Sequence, residues 1–292
     1  MKILVTGGSG FVGSRLVESL SQLGHEIINL DIESPKNKTN SVFLQCDITD
    51  YNQLKKVAEE NLAGTEIVYH LAGMSREADS MKMPDVYYKV NVNGTFNVLD
   101  ISRIIGVKKF IFASTFLVYG NPEYSPLDEG HPTNPKTIYS SSKLCGEIMC
   151  RSFQETYGMP TVCFRKSVIY GKDDPHKRIV TLFIERARDG KDLTVFGNKS
   201  LDFVYIGDVI SAYVSVLGSK ETGIFNIGSG EPITLMELAN VTRDKINPRI
   251  NIIEEGLRQG EITKFSPDIS KARSLLGFNP KQDLKKFIES CI

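Results

Sequence analysis

Residues 2–13 read KILVTGGSGFVG. Lys2–Thr6 is a short apolar run that ends in glycines, the pattern of a buried parallel strand. Ser14–Leu23 then carries apolar residues at Leu16, Val17, Leu20 and Leu23, a helical spacing, and Gly24 stops it. Between strand and helix stand Gly7, Gly10 and Gly13. Such a loop lets the chain turn tightly at Gly7, lets backbone approach a pyrophosphate at Gly10, and packs helix on strand at Gly13. The free N–H groups of the helix start would face the phosphates. A lone glycine loop is as often an ordinary βα turn, but the flanking strand and helix favour dinucleotide binding.

Working outward, strands are expected at Glu26–Asp31, Val42–Gln45, Ile67–Leu71, Lys109–Ala113 and Thr161–Arg165. Helices are expected at Tyr51–Asn61, Val86–Gly106 and Ser140–Tyr157. This alternation predicts an α/β fold, a doubly wound parallel sheet of Rossmann type. Past about residue 170 the rhythm weakens and Gly and Pro become frequent. We therefore expect a dinucleotide-binding domain over 1–166, with 202–228 returning to it, and a smaller substrate-binding domain over 167–292.

Asp31 ends the second strand. A carboxylate there accepts hydrogen bonds from both ribose hydroxyls and repels a 2′-phosphate, which favours NAD over NADP. Tyr139 and Lys143 stand four residues apart, so on a helix they share one face. The ammonium would favour the phenolate, equipping Tyr139 to exchange a proton with a substrate hydroxyl. Ser114 and Thr115 fall at the end of the fifth strand, the edge where doubly wound sheets bind ligands, and could hold the same substrate oxygen.

The chain has 292 residues, Lys plus Arg 35, Asp plus Glu 35, and a net charge of zero. That length suggests about two domains. The charge balance argues against nucleic acid as a general partner. No run reaches 18 apolar residues, and the N-terminus lacks the apolar core of a signal peptide, so a cytoplasmic protein with no membrane partner is expected. Five cysteines without a CxxC and four scattered histidines predict neither a metal site nor a disulfide framework.

With these pieces in place the chain resembles the NAD-dependent epimerase/dehydratase family of extended short-chain dehydrogenases/reductases. The matching segments run throughout: TGGSGFVG (6–13), Asp31, CDI (46–48), HLAG (70–73), Asn91, STFLVYG (114–120), LDEGHPTNP (127–135), YSSSKLCGE (139–147), YG (170–171), DFVYIGDV (202–209), FNIGSGEPITLMELA (225–239), RQGE (258–261) and DISKARSLLGF (268–278). The resemblance implies that Gly7, Gly10, Phe11, Val12 and Gly13 hold the pyrophosphate and Asp31 the ribose. It implies that Asp47 and Ile48 line the adenine pocket, that Leu71 and Ala72 lie beside the nicotinamide, and that Asn91 bends its helix. Thr115, Tyr139 and Lys143 correspond to the catalytic residues, with Tyr139 and Lys143 also touching cofactor. Ser114, Thr115 and Arg258 are candidate substrate contacts. A homodimer through helices near 84–105 and 140–157 is implied too.

Departures narrow the chemistry. Sugar dehydratases of the family carry Asp-Glu after the catalytic threonine; here Phe116 and Leu117 stand there. Neither moves a proton, which favours a nucleotide-sugar epimerase acting at C4 through a transient ketone, as in the UDP-glucose/galactose branch. Val168 replaces an asparagine and Leu201 an arginine that often contact the nucleotide diphosphate. Arg258 survives, and Lys166 or Lys199 could compensate. That weakened set keeps open an NAD-linked dehydrogenase or reductase of another hydroxyl or keto compound, and behind it a non-enzymatic NAD sensor. Glu147 reads as a helix-surface carboxylate, and Asp202 and Asp208 as capping or turn residues.

Overall fold

The computed structural model describes residues 1–37, 39–197, 199–257 and 262–292. In chain order the strands are β1 (Lys2–Thr6), β2 (Glu26–Asp31), β3 (Ser41–Gln45), β4 (Thr65–His70), β5 (Lys109–Thr115), β6 (Thr161–Lys166), β7 (Val168–Tyr170), β8 (Leu193–Phe196), β9 (Ser200–Leu201), β10 (Phe203–Tyr205), β11 (Gly223–Ile227), β12 (Ile233–Thr234) and β13 (Ile252–Glu255). The helices are α1 (Phe11–Gln22), α2 (Tyr51–Asn61), α3 (Glu77–Ser80), α4 (Pro84–Tyr88), α5 (Gly94–Ile104), α6 (Ile138–Tyr157), α7 (Ile179–Arg188), α8 (Ile206–Ser215), α9 (Leu235–Ile246), α10 (Ser270–Leu276) and α11 (Leu284–Glu289).

The chain divides into two compact units. One comprises Met1–Val118, Pro135–Arg165 and Val216–Phe225; the other comprises Tyr119–Asn134, Lys166–Ser215 and Asn226–Ile292. These boundaries differ from the expected 1–166 and 167–292. The segment 119–134 joins the second unit because Leu127 pairs with its backbone: its N–H donates to Ser266 O, and its carbonyl accepts from Asp268 N, both at 2.8 Å. The stretch returning to the first unit is 216–225, not 202–228.

The first unit is built on a seven-stranded sheet in the order β11-β6-β5-β4-β1-β2-β3. β1 lies parallel to β2 and β4, β2 to β3, and β4 to β5. Leu4, Ile28, Leu30, Val68, Phe110 and Phe112 face a core shared with Leu54, Val98, Leu99, Ile101, Cys150 and Phe153. The alternate residues Ile3, Val5, Ile27, Ile67, Tyr69 and Ile111 are buried as well, so both faces are covered, as a parallel sheet requires. The chain builds β1, β2 and β3 outward, then returns to β4 on the other side of β1. That reversal is the switch point at which such sheets open a crevice at their carboxyl ends.

One expected helix is not continuous. Over 86–106 the chain forms α4, a π-helical turn at Lys89–Asn93, and α5. The Thr95 hydroxyl donates to the Asn91 carbonyl at 2.6 Å, competing with the regular ladder. The Asn91 side chain is drawn outward: its amide donates to Met74 O and Ser142 Oγ, both at 3.0 Å, and its oxygen accepts from Met74 N at 2.8 Å. Single π turns of this kind are frequent at functional sites.

The second unit has its own core, including Tyr170, Phe183, Leu193, Val195, Phe203, Leu238 and Phe287. Its strands pair two by two: β7 with β10 and β8 with β13 in parallel, β9 with β12 antiparallel. Asp202 accepts N–H bonds from Ser229, Gly230 and Glu231 at 2.8–3.2 Å, and Asp208 accepts from Lys281 and Gln282 at 3.0 and 3.1 Å. Both aspartates thus hold turns. No helix among the described residues is long and apolar enough to cross a membrane.

Candidate active site

The parallel sheet sets the carboxyl ends of β1, β2, β4 and β5 along one edge, and the expected site residues of the first unit follow those ends. Gly7 leaves β1 with φ +72, a conformation costly for any residue with a Cβ. A Cβ on Gly7 would also meet the Ala72 backbone nitrogen at 2.5 Å. Gly10 caps α1 with no side-chain hydrogen bond, and α1 has no acidic residue in its first turn. A Cβ at Gly10 would have only the Gly7 carbonyl nearby, at 3.3 Å. The result is an uncapped, positively polarised helix start behind bare backbone, which suits a pyrophosphate.

Asp31 stands at the end of β2, where Oδ2 accepts from Ser9 N at 2.9 Å and Oδ1 from Glu33 N at 3.2 Å. Its carboxylate is therefore fixed against the glycine loop with lone pairs to spare, the requirement for a ribose contact. Beyond β3, Asp47 is exposed and Ile48 buried. Leu71 and Ala72 follow β4, half-buried, with Leu71 N donating to Thr6 O at 3.0 Å. Phe11 and Val12 open α1 and are half-buried. These residues fit a dinucleotide.

The residues expected to handle the proton lie on β5 and α6. Thr137 and Ser140 form a capping box that starts α6 just before Tyr139. Tyr139, Lys143 and Thr115 are 8%, 6% and 6% exposed. The Lys143 ammonium lies 4.5 Å from the centre of the Phe112 ring. A Cβ on Gly73, whose φ is +153, would come within 3.8 Å of that ammonium. Burial lowers the Lys143 pKa to about 8, opposed by Cys150, Glu147 and Cys163. A cation on the Tyr139 face of α6 favours the phenolate over the phenol.

Ser114 does not join this group as expected. It is 1% exposed, and its hydroxyl donates to Glu147 Oε1. Its one donor proton is committed to Glu147 rather than to a substrate oxygen. Glu147 is also not the surface carboxylate expected: it is 3% exposed and ion-paired to Arg165 at 2.7 Å. The clue was its place one turn beyond Lys143 on the same helix face. Val168 and Leu201 pack against the core of the second unit, and the Lys166 ammonium donates to the Tyr213 hydroxyl at 3.2 Å. Lys199 is buried. Arg258 lies outside the described residues.

His70 was missed as a site component. The Thr95 hydroxyl gives its proton to Asn91 O, so at 3.0 Å from His70 Nε2 it accepts the ring N–H. His70 Nδ1 is then the acceptor for the Thr6 hydroxyl at 2.7 Å, and Thr6 Oγ1 accepts from Ala72 N at 3.3 Å. One hydrogen-bonded chain thus runs from the end of β4 to the π turn that carries Asn91. Burial, aided by the Lys143 charge, lowers the His70 pKa to about 3. The unfolded imidazole binds a proton below about pH 6.5. Between there and about 3 the unfolded state holds more protons, so this residue makes stability fall as pH drops through that window. We expect its ring nitrogens to report a neutral Nε2–H tautomer, by 15N NMR, from about pH 8 down to about pH 5.

Comparison with known proteins gives the family. Residues 3–228 match the model of the NAD dependent epimerase/dehydratase family. The chain belongs to that family. It is 35% identical over 300 residues to a putative UDP-glucose 4-epimerase of Methanocaldococcus jannaschii, covering 99% of this chain and 97% of the relative. It is 31% identical to the UDP-glucuronic acid decarboxylase 1 of Danio rerio, over all of this chain and 72% of that protein. Among solved structures it is similar to the UDP-glucose 4-epimerase of Thermotoga maritima, crystallised with UDP-glucose. The TM-score is 0.93 at 31% identity, covering 99% of this chain and 96% of that one. As a family member the chain uses NAD, and the glycine loop with Asp31 is where its first unit would hold it.

Proposed function

We propose that the protein is a UDP-sugar 4-epimerase. The observation that carries this reading is the residue pair after Thr115. Phe116 is 8% exposed and Leu117 half-buried. Neither supplies the second acid and base that elimination of water from the sugar needs. Thr115, Tyr139 and Lys143 alone can move one proton to and from one hydroxyl.

NAD, when bound, supplies a reversible hydride acceptor. Tyr139 takes the proton of the substrate 4-hydroxyl and later returns it. Thr115 offers a hydroxyl to the same oxygen, and Lys143 offsets the phenolate charge. Turnover of the transient 4-keto sugar between the two proton transfers inverts the centre without net redox. The relatives support UDP as the carrier: one is named a putative UDP-glucose 4-epimerase and another was crystallised with UDP-glucose. We assign sugar-nucleotide binding to the second unit.

A second reading, a dehydrogenase or reductase acting on another hydroxyl or keto compound, is favoured by Val168 and Leu201, which pack on the apolar core and have no side-chain donor for a diphosphate. Thermal shift with UDP, dTDP, GDP and ADP and their sugars separates the two. The epimerase reading expects one UDP-sugar to raise the melting temperature and to be epimerised without accumulation of NADH. Stoichiometric NADH from a hydroxyl substrate, with no shift from any nucleotide, is the outcome the second reading expects.

We also propose a homodimer through α5 and α6. Phe96 and Ile104 on α5, and Ile148 and Tyr157 on α6, are 47–56% exposed. Phe96 meets Phe153 with ring centres 6.1 Å apart, and Phe153 meets Tyr157 at 5.2 Å, forming an aromatic strip across both helices. Exposed apolar surface of this extent marks an association face. Sedimentation velocity is expected to give twice the chain mass.

A further inference from the structure

Tyr139, Lys143 and Glu147 stand four residues apart along one face of α6. Only the first two touch the chemistry proposed above. Glu147 is nevertheless as thoroughly buried as they are, at 3% exposure. Arg165 on β6 grips it: Nε donates to Oε1 at 3.0 Å and Nη2 to Oε2 at 2.7 Å. The same Oε1 accepts the Ser114 hydroxyl from the end of β5. A buried ion pair gains little stability over an apolar pair of the same shape, so burial alone does not account for this one.

Two consequences follow from its placement. Ser114 directly precedes Thr115, so the bond to Glu147 ties the last residues of β5 to the helix that carries Tyr139. Glu147 is also a negative charge one turn from Lys143. The groups that bear on the Lys143 ammonium are Glu147 and Cys150 on α6, Cys163 on β6, and neutral His70 on β4. Of these, Glu147 is the anion that favours the protonated amine, and the Arg165 cation paired to it on β6 works against it.

We propose that Glu147, clamped by Arg165, is a positioning residue: it anchors Thr115 through Ser114 and keeps Lys143 protonated. The proposal rests on the assignment of Thr115, Tyr139 and Lys143 to proton transfer, but not on the identity of the sugar.

The test follows Lys143 directly, by NMR titration of lysine side-chain 13C and 15N signals in the NAD-loaded protein. It does so in wild type, Glu147→Gln, Glu147→Asp and the double variant Glu147→Met/Arg165→Met. The double variant removes both charges together and so guards against misfolding of the single one. We expect the Lys143 titration to fall by about one pH unit in Glu147→Gln, to fall less in the double variant, where the opposing Arg165 cation is removed as well, and to recover in Glu147→Asp. Where turnover is measured, the alkaline limb of the rate profile moves down with it. Ser114→Ala is expected to lower kcat roughly tenfold with KM nearly unchanged, because it frees the end of β5 without touching substrate. A folded Glu147→Gln protein whose Lys143 titrates as in wild type, or a Ser114→Ala protein with wild-type kcat, overturns the proposal. A wild type without epimerase turnover would instead count against the function, while the Lys143 titration still judges the role of Glu147.

Discussion

Tyr139→Phe is expected to cut the rate of 4-epimerisation by roughly 10²–10⁴-fold, the range for losing a positioned acid–base group. The ring would stay where it is. Tyr139 is 8% exposed and packs edge-on against Tyr87 with ring centres 6.4 Å apart, a contact that phenylalanine keeps. NAD retention, read from cofactor absorbance after gel filtration, is therefore expected to change little. Loss of the hydroxyl alone should appear as a fall in kcat with KM held. A Tyr139→Phe protein with near wild-type turnover would remove Tyr139 from the mechanism.

Gly13→Ala carries the largest expected effect on the fold. A Cβ there would land on the Gly7 carbonyl oxygen and within 2.7 Å of Gly8 Cα. Both are backbone, so no rotamer change relieves the overlap. Either α1 moves off β1 or the glycine loop opens. We expect a loss of about 3 kcal/mol, seen as a melting temperature lower by roughly 6–12 °C. NAD affinity, measured by titration calorimetry, should drop with it, because the loop that would cradle the pyrophosphate is the part displaced. Gly10→Ala is the control: its Cβ meets only one backbone atom, at 3.3 Å, so the melting temperature should hold while cofactor binding weakens.

The first unit was largely legible in the sequence because its signals are local and strong. Buried parallel strands carry short apolar stretches, Ile3–Val5 in β1 and Ile27, Ile28 and Leu30 in β2, and both strands lie where the pattern put them. The glycine loop, Asp31 and the Tyr139–Lys143 spacing depend on neighbours in sequence, so they too could be read. The π turn at Lys89–Asn93 has no periodicity of its own: the resemblance pointed to a bend at Asn91, but its form depends on Asn91 reaching Met74 and Ser142. Glu147 was misread for a similar reason. Its partners Ser114 and Arg165 lie 33 and 18 residues away, and a lone carboxylate on a helix gives no sign of either. In the second unit several strands are only two or three residues long, too short for a period to show.

Lys109 begins β5 and is 7% exposed, and its ammonium donates to the carbonyls of Val216 and Ser219. The outermost strand, β11, also comes from this late stretch and closes the β6 edge. During synthesis, β1 to β6 leave the ribosome well before either arrives. The nascent chain therefore passes through an interval with an unmated strand edge and a lysine awaiting its carbonyls. Ribosome-bound chains halted near residue 200 should bind chaperone and be cut readily by protease, and full-length chains extended clear of the exit tunnel should resist both.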